Sequence, residues 1–259
     1  KYERRPYKQK YQITATPKKP LEIVHMDIFI ISDKHFLALC DKFSRLTMAI
    51  PLQSRNAIHI LKALTQFFAN VRRPCLLVMD QECSFKSTTI KQFLEENNVE
   101  FHYTSVGQSS SNGTIEIVHR TIRELHNIIS LRDSTKNLST TSKINLAVSI
   151  YNDSIHSQTN ISPKELFFGF KNEDPIPEDL QERIKQKEEL YRVYATKQKE
   201  KKSKYIEKLN KTREEPELFK DNDTIFERKR YNLKHEERYR ENTNILDRNG
   251  RKIHKSKLK

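Results

Sequence analysis

The sequence predicts an α/β protein in three parts. A five-stranded mixed sheet with flanking helices comes first, then a charged helical linker, then a small basic β-barrel. Three observations carry this. Short apolar runs and helical-period segments alternate from Leu21 to Ser105. The composition shifts to Lys, Glu and Gln near Pro175. Short strand-like segments return after Glu215.

Lys1–Pro20 has scattered aromatics, three prolines and no apolar period, so residues 1–20 read as an extended basic arm. Leu21–Ile31 is near-continuously apolar, the pattern of a strand buried on both faces. Asp27 interrupts it. Desolvating an unpaired carboxylate costs several kcal/mol, so Asp27 must meet a cation, protonate, or open onto a cleft. After a turn at Ser32–Lys34, HFLALCDKFS and LTMAIPLQ predict the second and third strands of an antiparallel meander. Arg55–Ala69 places Ile58, Ile60, Leu61, Leu64, Phe67 and Phe68 at helical spacing, and CLLVMD then returns as a buried parallel strand. Asp80 ends that strand, the position at which open α/β sheets hold ligands. Ser84 is expected to cap a helix over Thr88–Asn97, and VEFHYTS is a fifth strand. The order β-β-β-α-β-α-β is that of the ribonuclease-H-like fold.

SVGQSSSNG, residues 105–113, has no core-forming residue and leads into a helix from about Asn112. Ile115, Val118, Ile122 and Leu125 give that helix its apolar face. Glu116, His119 and Arg120 share another. A helix over Ser142–Ile155 follows, then a short one capped by Ser162 with Pro163 at its first position. These elements assign the core to residues 21–178. Residues 179–214, Glu182–Lys211 above all, are expected to be a long exposed helix. Residues 215–259 combine basic strands with the turn signal Asn249-Gly250, which predicts an SH3-like barrel.

The net charge of +14 is unevenly spread. Residues 1–20 carry +6, residues 181–259 carry +10, and the centre carries −2. Basic flanks on a near-neutral core are the electrostatic footprint of a polyanion-binding protein. Cys40, Cys75 and Cys83 have no paired spacing, which points to reduced thiols and against structural zinc. No apolar run approaches the roughly 20 residues of a membrane span, so a soluble protein without a membrane partner is expected.

Asp27, Asp80 and Glu116 form the candidate site, with 35 residues between the last two. Taken singly, Asp27 is equally readable as the partner of a buried Lys or Arg. Glu116 alone reads as a first-turn acid favourable to the helix dipole. Together they point to carboxylates gathered for two-metal phosphoryl transfer.

VHMDIF, VMDQECSF, SSSNGTIEIVHR and YNDSIHSQTNISPKELFFG together resemble the integrases of gypsy-class LTR retrotransposons, relatives of retroviral integrases. IHKSKLK echoes the last strand of that family's barrel. The resemblance implies that Asp27, Asp80 and Glu116 are its D,D(35)E triad and hold two Mg²⁺ or Mn²⁺ ions. Asp27 would bridge both ions, with one completed by each of the others. It implies 3′-end processing of element DNA and strand transfer into target DNA, by a homo-oligomer in the nucleus after a cytoplasmic stage, with chromatin a further partner. Candidate DNA contacts are Ser110, Asn112, His119 and Arg120, then Arg228, Lys229, Arg230, Arg251, Lys252, Lys255 and Lys257. Two departures stand out. Gln81, Glu82 and Cys83 occupy the place of the family's Asn-Gly, and Ile117 follows Glu116 where Arg is usual. The first residues resemble the segment that follows the family's zinc domain, which is expected to be missing. Two other readings remain open: an inactive or host-adopted protein that only binds DNA or chromatin, and a ribonuclease-H-like nuclease that cuts RNA–DNA hybrids.

Overall fold

Three successive apolar segments pair as the expected meander: β1 (Ile23–Ile31), β2 (Lys34–Asp41) and β3 (Thr47–Leu52). Ser32 and Asp33, with φ of 47° and 60°, make the two-residue turn between the first two. Positive φ at both centres matches the twist of a tight hairpin, and short polar side chains tolerate it. The computed structural model describes residues 16–104, 113–157, 159–170, 180–211, 225–228 and 239–242.

Helix α1 (Ala57–Asn70) carries the chain back over the sheet to β4 (Leu76–Met79), parallel to β1. Helix α2 (Thr88–Glu96) then leads to β5 (Glu100–Tyr103), parallel to β4. The sheet order is β3-β2-β1-β4-β5. The cap of α2 is Ser87, whose hydroxyl accepts the N–H of Ile90. Ser84, expected in that role, instead donates to Glu82.

Alternation along the central strands divides the core. Val24, Met26, Leu37 and Leu39 face one way and pack with α1 and α2 through Leu64, Phe67, Ile90 and Leu94. Phe29, Ile31, Phe36 and Ala38 face the other way. There they meet α3 (Gly113–Leu131) and α4 (Thr140–Asp153) through Ile115, Val118, Ile122 and Ala147. Helix α4 starts two residues before its expected position, because the Ser139 hydroxyl accepts the N–H of Ser142. Helix α5 (Pro163–Phe168) begins as expected, with Ser162 accepting the N–H of Glu165.

The helix α6 (Leu180–Asn210) is less solvated than its composition predicts. Tyr194 is buried against Phe43 and Leu166, with Leu190 and Tyr191 beside it. Both tyrosine rings meet Phe43 edge-on, at 5.3 and 4.9 Å between centroids. Tyr191 also donates from its hydroxyl to the Phe167 carbonyl at 2.6 Å. The first half of α6 is therefore docked, and this part of the chain belongs to the compact unit Thr16–Lys197.

A second unit contains β6 (Ile225–Arg228), paired antiparallel with β7 (Tyr239–Asn242). The basic arm 1–15, the Asn249-Gly250 turn and the last strand of the expected barrel lie outside the described residues. No helix among the described residues is long and apolar enough to cross a membrane.

Candidate metal-binding carboxylate site

Parallel register builds the first half of the site. The β1–β4 ladder runs from Ile23–Leu76 to Met26–Met79, and the next residues on the two strands are Asp27 and Asp80. Asp27 lies on the sheet face that α3 covers, opposite Ala38 of β2. Its Oδ1 accepts the N–H of Ile28 at 2.8 Å. Asp80 follows β4 directly and accepts the N–H of Glu82 at 3.0 Å, which holds the next turn against it.

Helix α3 supplies the second half. Glu116 is exposed in its first turn. His119, one turn on, is buried, with Nδ1 3.7 Å from Asp27 Oδ2. The sequence placed His119 among the DNA contacts; the structure instead packs its ring on Phe29, at 4.8 Å between centroids. An apolar wall and the nearby Arg123 push its pKa down to about 4. It is therefore a neutral imidazole at pH 7, and its approach to Asp27 is not an ion pair.

Electrostatics mark Asp27 out. Burial, then the Asp80 carboxylate, push its pKa up to about 7, with Glu82 and Glu116 adding to the effect and the Ile28 N–H opposing it. A carboxylate this reluctant to ionise sits in a field that rewards a cation. Hard oxygen donors of like charge suit Mg²⁺ or Mn²⁺, so the residues present fit a divalent ion. The set is not drawn tight, however. Among the described residues no three His, Cys, Asp or Glu side chains are grouped closely enough to hold a metal. The two observations are compatible, because Coulomb repulsion acts over longer distances than coordination.

Glu82 is the residue the sequence reading missed as part of this site. It acts on Asp27 ahead of Glu116, although an acid two residues after Asp80 was visible. Its carboxylate takes the Ser84 hydroxyl at 3.2 Å and lies 3.8 Å from the Arg55 guanidinium. Gln81 ties the same turn to the β5 end by donating to the Thr104 carbonyl at 3.1 Å.

Of the other expected contacts, Arg120 is exposed on α3 and Arg228 ends β6. Ser110, Asn112, Lys229, Arg230, Arg251, Lys252, Lys255 and Lys257 lie outside the described residues. A cavity of about 590 Å³ opens between α3 and the end of α4, lined by Arg45, Ile117, Thr121, Leu125, Tyr151 and His156 among others. It contains none of the three acids, so it is not the carboxylate site.

Residues 17–109 match the model of the integrase core domain. The chain is 33% identical over 168 residues to the retrovirus-related Pol polyprotein from transposon opus of Drosophila melanogaster, covering 65% of this chain. It is likewise 33% identical over 170 residues to that from transposon gypsy of the same fly, covering 64% of this chain. The chain is thus similar to the Pol polyproteins of these two transposons, and the matched segment 17–109 resembles an integrase core domain. It spans 17% and 16% of the length of those two polyproteins. The integrase fold is seen again in solved structures. One is the simian T-cell lymphotropic virus intasome in complex with the PP2A regulatory subunit B56 gamma. There the TM-score is 0.56 at 15% identity, covering 67% of this chain and 62% of that one. Another is the catalytic core domain of BIV integrase, with TM-score 0.51 at 14% identity, covering 57% of this chain and 95% of that one. The matched segment includes Asp27 and Asp80 and stops before Glu116, which stands in the first turn of α3.

Proposed function

We propose that this chain is a DNA integrase, a polynucleotidyl transferase that trims the 3′ ends of element DNA and joins them to target DNA. One observation carries the reading. Asp27 and Asp80 each follow the last residue of the same parallel ladder, α3 with Glu116 covers the sheet face that bears Asp27, and burial, then the Asp80 carboxylate, push the Asp27 pKa up to about 7.

In this reading Asp27, Asp80 and Glu116 hold two divalent ions, Mg²⁺ or Mn²⁺. Bound ions of this kind activate the attacking oxygen of water or a DNA 3′-hydroxyl and stabilise the leaving oxygen. The protein contributes position and field. The β1–β4 ladder ends at Met26 and Met79, one residue before each aspartate, and the Glu82 N–H donates to Asp80. Arg120 and the basic flanks hold phosphates without reading sequence. The substrates are double-stranded element ends and target DNA, handled by a homo-oligomer in the nucleus, with chromatin as a further partner.

A disintegration assay on branched DNA, with Mg²⁺ or Mn²⁺, tests the proposal. The full chain should reseal the substrate, and Asp80→Asn should lower the rate by at least a hundredfold. Absence of resealing in the folded wild-type chain would favour a protein that only binds DNA. Cleavage of RNA in a hybrid, without DNA joining, would favour a nuclease.

A further inference from the structure

We infer that His119 is a positioning residue for Asp27, with its imidazole clamped on Phe29 so that Nδ1 steers the Oδ2 side of the carboxylate. The inference rests on the reading of Asp27 as a metal-binding carboxylate.

The geometry is specific. Asp27 has two oxygens with different surroundings. Oδ1 is engaged by the Ile28 N–H, at 2.8 Å. Oδ2 is approached by His119 Nδ1, at 3.7 Å, too long for a hydrogen bond and short enough for a small rotation to close. The imidazole has little freedom to go elsewhere. It is 6% exposed and lies against Phe29, which itself stacks on Phe36 at 5.4 Å. Its Nε2 is buried with no hydrogen-bond partner among the described residues. A buried polar atom left without a partner is costly. Carrying the ring proton on Nδ1 makes that nitrogen a donor toward Oδ2 and leaves only a lone pair in the apolar wall. The opposite tautomer would bury an unmatched N–H and turn two lone-pair atoms toward each other.

A neutral donor at this place does something a lysine or arginine would not. It orients the carboxylate while leaving its negative charge for a cation. Outer partners of this kind typically change metal affinity or activity by about 10–100-fold when removed. Burial also explains why His119 makes a poor direct DNA contact although the exposed Glu116 and Arg120 share its helix face.

The experiment uses the full chain and Mn²⁺ as probe, with free Mn²⁺ read by electron paramagnetic resonance and DNA joining measured alongside. His119→Leu fills the space without a donor, His119→Asn restores a nitrogen near the Nδ1 position, and His119→Gln places one near Nε2. Mn²⁺ affinity should fall about tenfold in His119→Leu and in His119→Gln. His119→Asn should stay within about threefold of wild type, and its half-saturating Mn²⁺ for joining should follow the binding curve. Unchanged affinity in His119→Leu overturns the inference, as does equal loss in the Asn and Gln variants, which marks a core-filling ring. Should the Leu variant fail to fold, the Asn–Gln comparison decides. Asp27→Asn separates the premise: wild-type Mn²⁺ affinity there overturns the reading of Asp27 itself, whatever the His119 variants show.

Discussion

Asp27 shows how one residue can carry a conflict that the rest of the chain is arranged to tolerate. A carboxylate inside a buried strand, facing three others, titrates near neutrality because its ionised form is penalised twice, by desolvation and by like charge. The sign of the effect on stability follows. Between about pH 4 and pH 7 the folded state holds a proton that the unfolded chain has lost, so stability falls as pH rises across that window. The cost at neutral pH reaches roughly 4 kcal/mol in the absence of metal. Asp27→Asn keeps a carbonyl for the Ile28 N–H and removes the charge. In EDTA the variant should melt higher than wild type at pH 8, with the difference shrinking toward pH 5. A difference that does not change with pH would mean that Asp27 is not held near 7. Mn²⁺ at pH 8 should raise the melting temperature of wild type and leave that of the variant unchanged.

At the scale of elements, caps and docking contacts decide where each helix starts, stops and lies. Ser162 and Pro163 start α5, and Gly169 ends it at φ 83°, donating to the Glu165 carbonyl at 2.8 Å. A side chain at Gly169 would be strained by that φ, and its Cβ would meet Lys187 Cγ at 2.5 Å. Gly169→Ala should cost about 1–2 kcal/mol in denaturant unfolding, with no loss if another conformation closes the helix. Tyr194 makes α6 part of the core unit. Tyr194→Ala should cost about 3 kcal/mol and expose α6 to proteolysis near residue 194, whereas an unchanged cleavage pattern would mean that α6 is held by other contacts. The composition of α6 concealed this docking. Charged residues dominate its sequence, and the partners of its tyrosines, Phe43 in the turn between β2 and β3 with Leu166 and Phe167 of α5, come from distant parts of the chain.

At the scale of the whole chain, charge is the property most open to direct test. The basic ends flank a core that is slightly acidic, so phosphate contacts should dominate DNA affinity and make it fall with salt. Reversing the charges of Arg228, Lys229 and Arg230 should weaken binding to all DNA sequences similarly and flatten the salt slope by about one for each phosphate no longer neutralised. An unchanged slope would remove this segment from the DNA-binding surface.

Strand and helix order was legible in the chain because hydrophobic period and length are local properties. The same holds for the candidacy of Asp27, an acid where an apolar residue belongs. Asp80 was legible from its place at a strand end, and Glu116 from the helix it opens. Other features needed the folded molecule. The capping role went to Ser87 and not to Ser84 because backbone geometry selected between two nearby hydroxyls. His119 left the surface because the pitch of α3 and the β1 register turned it onto Phe29. Glu82 joined the site because the turn after β4 folds back on Asp80. The sequence by itself determined which groups could do chemistry and in which elements they stand. Tertiary structure alone decided which of them meet, because contacts between β1, β4 and α3 depend on register and packing that no local pattern encodes.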